Sequence, residues 1–252
     1  MCATCGCGTD AVHDDSHDHD HAHHHDHDHD HGHAAPVDGN LIKLERAVLE
    51  ANARLAERNR GWFAGRGVTA LNLMSSPGAG KTTLLERTLT DLGGQLDIRV
   101  IEGDQATDRD AERIRAAGGR AIQINTGTGC HLDAKMIERV LPELDAPRGG
   151  LVFIENVGNL VCPALFDLGE RAKVLVASVT EGDDKPLKYP HMFHACELII
   201  LNKLDLLPYV TFDVEKFAAN VRRVTHGSPV LHVSATRGDG LDAWYSYLRR
   251  TP

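Results

Sequence analysis

Residues 75–82 read Ser-Ser-Pro-Gly-Ala-Gly-Lys-Thr, and this segment constrains the fold more than any other part of the chain. An apolar run, 68–74, precedes it, and residues that can open a helix, 83–85, follow it. A glycine-containing loop between a strand and a helix is typical of phosphate binding, because backbone N–H groups of the loop and of the helix N-terminus point at the phosphates. The sequence therefore predicts a nucleotide site in an α/β domain.

The side chains at the end of this loop have distinct expected roles. Lys81 supplies positive charge to the β- and γ-phosphates and is predicted to be catalytic, whereas the Thr82 hydroxyl can ligate Mg²⁺. Ser75 stands where the usual pattern has its first glycine, so two later glycines must let the backbone close around the phosphates. The predicted nucleotide-binding residues of the loop are Gly78, Ala79, Gly80, Lys81, Thr82 and Thr83.

Apolar runs rich in Val, Ile and Leu alternate with helical stretches through the rest of the chain. Such runs are typical of strands buried on both faces, and their alternation with helices predicts right-handed crossovers and a mainly parallel sheet. The expected fold is α/β, a P-loop NTPase sandwich of about seven strands with the nucleotide at their carboxyl ends. An amphipathic helix over about 41–60, ending near Gly61, should precede it. The predicted strands are 68–74, 98–102, 121–125, 151–154, 174–179, 198–201 and 230–233, and the helices between them start near Thr82, Thr107, Leu132, Asp213 and Leu241.

A second motif, Asn-Lys-Leu-Asp at 202–205, closes the apolar run 198–201. A carboxylate accepts hydrogen bonds from both N1–H and the 2-amino group of guanine, an arrangement that adenine does not offer. We expect the aspartate to read the base, the lysine to pack over it and the asparagine to tie this segment to the phosphate loop. A Ser-Ala pair after the last strand resembles the loop that contacts guanine O6 in GTPases. The predicted base-end residues are Asn202, Lys203, Asp205, Ser234 and Ala235, and the predicted nucleotide is GTP or GDP.

Two further strand ends carry carboxylates. Glu-Gly-Asp at 102–104 follows one apolar run, and Glu-Asn-Val-Gly at 155–158 follows another. A hard cation held by the loop threonine and phosphate oxygens needs a nearby carboxylate, often through water. Asp104 is the first choice for this Mg²⁺ role and Glu155 the second, and both are predicted to be catalytic. Gly158 is the predicted backbone contact that senses the γ-phosphate.

Composition excludes several classes of function. Residues 1–40 contain nine Asp and no Lys or Arg, which accounts for the whole formal net charge of −9. The remainder, 41–252, is therefore neutral and has no basic field for nucleic acid. No apolar run has membrane-spanning length and no secretory leader is apparent, so we expect a cytoplasmic protein with no membrane partner.

The N-terminal part divides into two candidate metal-binding regions, 1–8 and 9–40, ahead of a GTPase domain at 41–252. The first holds Cys2, Cys5 and Cys7, and thiolates select soft or borderline metals. A fourth ligand from the terminal amine would favour square-planar Ni²⁺ over tetrahedral Zn²⁺. The second holds eleven His spaced mostly by Asp, with almost no large apolar residue. We expect it to be disordered and to bind several metal ions with little selectivity.

Another group of metal-ligating residue types lies inside the GTPase domain. Cys130-His131 follows Gly-Thr-Gly, and Cys162 lies beyond the strand that ends near Glu155. These ligand types suit Zn²⁺ or Ni²⁺. Three protein ligands leave a site incomplete, and a two-fold dimer would supply the rest. Cys196 opens a strand, where a packed core thiol is expected instead.

These motifs resemble, over nearly the whole chain, those of the nickel-incorporation GTPases of nickel–iron hydrogenase maturation. The resemblance rests on the Cys-X-X-Cys-X-Cys start, the His-rich spacer, the phosphate loop, Glu-Gly-Asp, Gly-Thr-Gly-Cys-His-Leu at 127–132, Glu-Asn-Val-Gly-Asn-Leu-Val-Cys-Pro at 155–163 and Asn-Lys-Leu-Asp. The related urease accessory GTPases share the phosphate loop but lack the pairing of Cys-His with Cys-Pro.

The resemblance implies GTP hydrolysis, homodimerisation promoted by GTP or metal, and delivery of nickel to the hydrogenase large-subunit precursor together with other maturation proteins. It also implies a high-affinity nickel site at Cys2, Cys5 and Cys7, and a second nickel or zinc site at Cys130, His131 and Cys162. Slow intrinsic turnover is expected, because no arginine finger can be assigned. A urease-type or cobalt/zinc metallochaperone GTPase and a nickel store remain alternatives. The guanine motif argues against a store, and the Cys-His with Cys-Pro pairing argues for hydrogenase over urease.

Overall fold

The computed structural model describes residues 39–105 and 108–251. The predicted Cys motif at 1–8 and all but the last two residues of the His/Asp tract lie outside the described part. Val48–Pro252 form one compact unit, and the packing below belongs to that unit.

Seven strands form one sheet in the order β3-β2-β4-β1-β5-β6-β7, and every neighbouring pair is parallel. The predicted α/β sandwich with its mainly parallel sheet is confirmed. Strands β2 to β4 lie on one side of β1 and strands β5 to β7 on the other, so the order in which strands are added reverses beside β1. Ligands of open α/β sheets bind beyond the carboxyl ends of the strands at such a reversal. The strands are β1 Thr69–Ser75, β2 Ile98–Asp104, β3 Arg120–Asn125, β4 Leu151–Glu155, β5 Ala172–Ser178, β6 Leu198–Asn202 and β7 Val230–His232.

Helices connect the strands and cover both faces of the sheet. The five predicted helix starts agree with the structure to within two residues, whereas the short helices α5 to α7 were not predicted. The α-helices are α1 Gly39–Arg66, α2 Lys81–Leu92, α3 Arg109–Ala116, α4 Ala134–Val140, α5 Cys162–Leu165, α6 Lys185–Lys188, α7 Pro190–His194, α8 Val214–Val224 and α9 Leu241–Arg250, with 3₁₀ helices at Leu141–Glu143 and Leu204–Tyr209.

The prediction that the first helix ends near Gly61 is wrong, because α1 continues to Arg66. Phe63 is buried in the core, and the Arg66 guanidinium lies 4.0 Å from the centre of the Trp62 ring. A glycine inside a helix costs only about 1 kcal/mol relative to alanine, which the burial of Phe63 offsets. The chain leaves the helix instead at Gly67, where φ is 62°.

Alternate strand residues face two packed helix layers. Leu71 and Phe153 pack on one face with Trp244 of α9, whereas Ile154 packs on the other face near Phe63 of α1. Burial on both faces leaves the strand ends as the places where polar groups can meet a ligand. The fold therefore places the polar candidate site residues at the carboxyl edge of the sheet.

Candidate nucleotide and metal site

The phosphate loop connects β1 to α2, and its side chains hold one another in place. Lys81 Nζ donates to Ser75 Oγ at 2.8 Å, so the serine that replaces the usual first glycine holds the lysine. Gly80 has a φ of 99°, and a Cβ there would come within 2.5 Å of Asn202 Nδ2. Burial lowers the pKa of Lys81, and the nearby Glu155 carboxylate opposes that effect. A buried ammonium in this position is suited to an anionic ligand.

A cavity of about 470 Å³ opens beside the loop. Segments that are far apart in the sequence meet there, at the carboxyl ends of the central strands, which is where nucleotides bind in this kind of sheet. The volume lies within the range of ligand pockets. The cavity is lined by Gly78, Gly80, Lys81, Thr82, Thr83, Asp104, Glu155, Gly158 and Lys203 among the predicted residues, together with Pro77, Gln105, Asp110, Arg113 and Val157.

Two buried glutamates stand opposite each other in the β2–β4 register, Glu102 and Glu155. Glu155 Oε1 accepts a hydrogen bond from Thr82 Oγ1 at 2.7 Å. Burial raises the pKa of Glu155, and burial together with the Glu155 charge raises the pKa of Glu102 to about 8. The Oε2 atom of each has no hydrogen-bond partner within the described residues. The orphaned oxygen of Glu155, beside the Thr82 hydroxyl, fits a hard cation.

Asp104, the first sequence-based choice for Mg²⁺, is half-buried and lines the same cavity. Its Oδ1 accepts from the backbone N–H of Gln105 at 2.7 Å. The contact with Thr82 belongs to Glu155, the second choice. Thr82, Glu155 and Asp104 together offer the oxygen-only donor set that Mg²⁺ prefers.

Arg113 and Glu181 are among the charged residues at this edge that the sequence motifs missed. Arg113 of α3 donates to Thr83 Oγ1 at 3.1 Å and to Glu86 through Nε and Nη2, at 3.0 and 2.6 Å. Glu181 accepts from Ser76 Oγ at 2.7 Å, and burial raises its pKa. Arg113 lies on a helix and Glu181 in a turn, and neither belongs to a recognisable pattern, so only the tertiary structure reveals them.

The predicted base-end residues cluster around the loops that follow β6 and β7. Asn202 Nδ2 donates to Ala79 O at 3.0 Å, which is the link to the phosphate loop expected from the sequence. Lys203 adopts a φ of 63° and donates through Nζ to Gly78 O at 2.7 Å. Together these two contacts fix the base-end loop against the phosphate loop.

The carboxylate proposed to read the base is itself positioned by a neighbour. Asp205 Oδ1 accepts from Ser234 Oγ at 2.6 Å. The Ala235 N–H donates to Asn202 Oδ1 at 3.0 Å, so a contact between that N–H and guanine O6 would have to share this hydrogen bond. The roles of these residues toward the base remain predictions.

Cys130, His131 and Cys162 come together beside this edge. The two Sγ atoms are 3.2 Å apart, Cys130 Sγ lies 3.7 Å from His131 Nδ1, and all three ligand atoms lie within 4.8 Å of one another. Burial lowers the pKa of His131, which keeps the imidazole in its neutral, metal-ligating form. Two sulfurs and one nitrogen suit Zn²⁺ or Ni²⁺ and leave a fourth position to be supplied.

Among the described residues, one further cysteine, Cys196, lies apart from this cluster. Cys2, Cys5 and Cys7 lie outside the described residues. Cys196 is buried, its Sγ donates to Met192 O at 3.0 Å, and burial raises its pKa to about 12. The expectation of a packed core thiol at Cys196 is confirmed.

A second cavity, of about 510 Å³, lies where β5 and β6 begin, at the opposite end of the sheet. Its arginines are already paired with carboxylates, Arg60 with Asp167 at 2.7 Å and Arg171 with Glu197 at 3.1 Å. Paired cations offer little to a phosphate chain. The cavity beside the phosphate loop is therefore the candidate nucleotide site.

Residues 69–232 match the family described as CobW/HypB/UreG, nucleotide-binding domain. The hydrogenase maturation factor HypB of Escherichia coli (strain K12) is 59% identical over 208 residues, which cover 82% of this chain and 72% of that protein. The chain belongs to the HypB family of hydrogenase maturation factors. The resemblance first seen in the motifs is thus confirmed.

Two solved HypB structures share the fold. The crystal structure from Archaeoglobus fulgidus is 41% identical with a TM-score of 0.73, and covers 79% of this chain and 98% of that one. HypB from Helicobacter pylori, solved in complex with nickel, is 37% identical with a TM-score of 0.75, and covers 79% of this chain and 94% of that one. None of the helices in the described part is long and apolar enough to cross a membrane.

Proposed function

We propose that this HypB-family chain is a GTP-hydrolysing nickel metallochaperone, which stores Ni²⁺ and delivers it, under control of its nucleotide state, to the hydrogenase large-subunit precursor. One observation carries the proposal. The short segment from Glu155 to Cys162 belongs to both sites, because Glu155 contacts Thr82, Gly158 lines the phosphate cavity and Cys162 Sγ lies 3.2 Å from Cys130 Sγ. The nickel complex of the Helicobacter pylori relative supports nickel as the cargo.

Hydrolysis requires that charge developing on the transferred phosphoryl group be neutralised at a fixed position. Lys81 is buried and held by Ser75, so its ammonium would need little reorganisation to contact the β- and γ-phosphates. Thr82, Glu155 and Asp104 would hold Mg²⁺, which, when bound, neutralises phosphate charge. Without an assigned arginine finger directed at the γ-phosphate, turnover should be slow.

The metal cluster is the proposed transfer site for nickel, with zinc as a competing occupant. Cys130, His131 and Cys162 supply three ligands, and tetrahedral or square-planar coordination needs a fourth. A second copy of the chain would supply further ligands across a two-fold axis, so we propose a homodimer promoted by GTP or metal. The protein partners inferred from the relatives' function are the hydrogenase precursor and other maturation proteins, rather than nucleic acid or membrane.

The N-terminal Cys and His regions are proposed to hold nickel before transfer. Cys2, Cys5 and Cys7 would form the tight site, and the His/Asp tract would add capacity. Reduced thiols at these positions and in the Cys130 cluster need a reducing compartment, which supports a cytoplasmic location.

Replacement of Asp205 by asparagine is expected to weaken GTP binding by about 10-fold or more, since the amide loses one of the two acceptors that face guanine donors. Selectivity for GTP over ATP should fall as well. Competition of unlabelled GTP and ATP against a fluorescent guanine nucleotide measures both effects.

Asp213→Asn is the matched control, because asparagine is an equally good N-cap, and Asp213 caps α8 and does not line the phosphate cavity. This control should bind GTP like the wild type. Equal affinity of the wild-type chain for ATP and GTP would remove the basis for assigning a guanine site.

A further inference from the structure

Asn156 is a buried side chain that directly follows Glu155 and touches the metal-binding loop. Its Oδ1 accepts two backbone N–H groups, from Leu132 at 3.1 Å and from Val157 at 3.0 Å. Val157 lines the phosphate cavity, whereas Leu132 directly follows the His131 of the metal cluster. One amide oxygen therefore joins a backbone group of each site.

Leu132 also contacts the second acidic strand. Its side chain lies against Gly103 between Glu102 and Asp104, and a Cβ at Gly103 would come within 2.7 Å of Leu132 Cγ. Leu132 is fully buried. Leu132, which follows His131, is thus held by β2 through packing and by Asn156 at the end of β4 through a hydrogen bond. It must therefore shift if the carboxyl ends of β2 and β4 move apart.

The orientation of the Asn156 amide is fixed from both sides. Two N–H donors face its oxygen, and its Nδ2 donates to Asn72 Oδ1 at 3.3 Å. Asn72 in turn donates to Glu170 Oε1 at 3.1 Å, so the buried chain of hydrogen bonds is directional. Breaking the contact to Leu132 would leave its buried N–H without a hydrogen-bond acceptor, which is energetically costly. Leu132 should therefore follow Asn156 when the turn after Glu155 moves.

We propose that Asn156 is a positioning residue that couples the nucleotide site to the Cys130, His131 and Cys162 cluster. The inference rests on the proposed function, because it names the contact through which nucleotide state would act on the metal. Movement of residues 155–158 toward a γ-phosphate would shift Leu132 and with it the adjacent His131 and Cys130. Cys162 lies on the same segment beyond the turn, so both halves of the cluster respond together. Metal geometry is sensitive to such ligand displacements.

The test uses the full chain and fluorescent forms of GDP and of a non-hydrolysable GTP analogue, each titrated with and without Ni²⁺. The coupling factor is the change in affinity that Ni²⁺ causes for the GTP analogue, divided by the change for GDP. Because binding linkage is reciprocal, this factor equals the effect of nucleotide state on nickel affinity. Nickel bound by the N-terminal regions is accounted for with Cys162→Ala, which keeps those regions and disrupts the cluster.

The wild-type factor should differ from 1 by about 5-fold or more, the usual lower range of allosteric coupling, and Cys162→Ala should bring it to about 1. Asn156→Ala should also bring it to about 1. Asn72→Ala is the matched control, since it removes a buried amide from the same chain of hydrogen bonds but leaves both N–H donors that hold the Asn156 oxygen, including that of Leu132. This control should keep the wild-type factor. A purely structural role would lower the melting temperature of both variants without separating their coupling factors.

An Asn156→Ala protein that is folded and keeps the wild-type factor would overturn the coupling role while leaving the proposed function intact. A wild-type factor that Cys162→Ala does not change would overturn both. If Asn156→Ala does not fold, the backbone amide chemical shift of Leu132 in the unaltered chain provides the second measurement. It should differ between the GDP and GTP-analogue states, because Leu132 moves with Asn156, and identical shifts in the two states would overturn the inference.

Discussion

Lys81→Ala is expected to lower GTP turnover by at least about 100-fold, the effect of removing one pre-organised group that stabilises transition-state charge. Lys81 is buried, its Nζ is held 2.8 Å from Ser75 Oγ, and it faces the cavity that Glu155 and Asp104 also line. No other lysine is available inside this cavity among the described residues except Lys203, whose Nζ is engaged with Gly78 O. Phosphate release under saturating GTP measures the loss.

The fold should survive this change, because the desolvation cost of the Lys81 ammonium is removed and Glu155, whose pKa burial already raises, can take up a proton when its cationic neighbour is gone. Lys188→Ala is a suitable control, since Lys188 is exposed and pairs only locally with Asp184. The control should turn over GTP at the wild-type rate. Wild-type turnover by a folded Lys81→Ala protein would refute the assigned role of the phosphate loop.

Cys162→Ala is expected to weaken nickel binding at the internal cluster by about 100-fold or more, because loss of even an outer-shell partner of a metal ligand typically costs 10- to 100-fold. The remaining Cys130 and His131 offer only two donor atoms. Equilibrium dialysis against Ni²⁺ with a competing chelator measures the change, in the full chain and in a chain lacking residues 1–40.

The shortened chain should lose most bound nickel ions and the tightest site, but keep GTP hydrolysis.

Cys196→Ala is the matched control for this experiment. Its thiol is buried, donates a hydrogen bond to Met192 O and packs in the hydrophobic core, apart from the Cys130, His131 and Cys162 cluster. Its removal should therefore leave nickel affinity unchanged. Unchanged nickel binding in the shortened Cys162→Ala chain would show that the internal cluster does not hold the metal. Retention of every bound ion after deletion of residues 1–40 would contradict the role proposed for the N-terminal regions.

Much of the architecture was predictable because its signals are local. Each strand is an apolar run such as 198–201 bounded by polar turns, and the phosphate loop carries its own strand–loop–helix context. The end of α1 was not predictable, because the burial of Phe63 outweighs the glycine at position 61 only once the sheet is in place. Helix α5, which begins at Cys162, has four residues, one of them a proline, and this is too short for a periodic pattern.

Candidate site residues could be chosen from the sequence where they belong to a motif. They could not be chosen where their contacts depend on tertiary packing. Lys81, Thr82 and the two cysteines of the metal cluster could be chosen by residue type and spacing. Arg113 could not, because its contacts with Thr83 and Glu86 arise only when α3 packs on α2. Asn156 lies within a motif, yet only the fold shows that its amide oxygen accepts from Leu132.

We propose that GTP hydrolysis by this chain drives nickel delivery to a hydrogenase. The decisive measurement is hydrogenase activity in a strain that lacks the gene, grown at low and at high nickel. Activity should be low at low nickel, should be restored by the wild-type gene but not by the Lys81→Ala gene, and should be rescued in the deletion strain by added nickel. Full activity in the deletion strain at low nickel, or full restoration there by the Lys81→Ala gene, would contradict it.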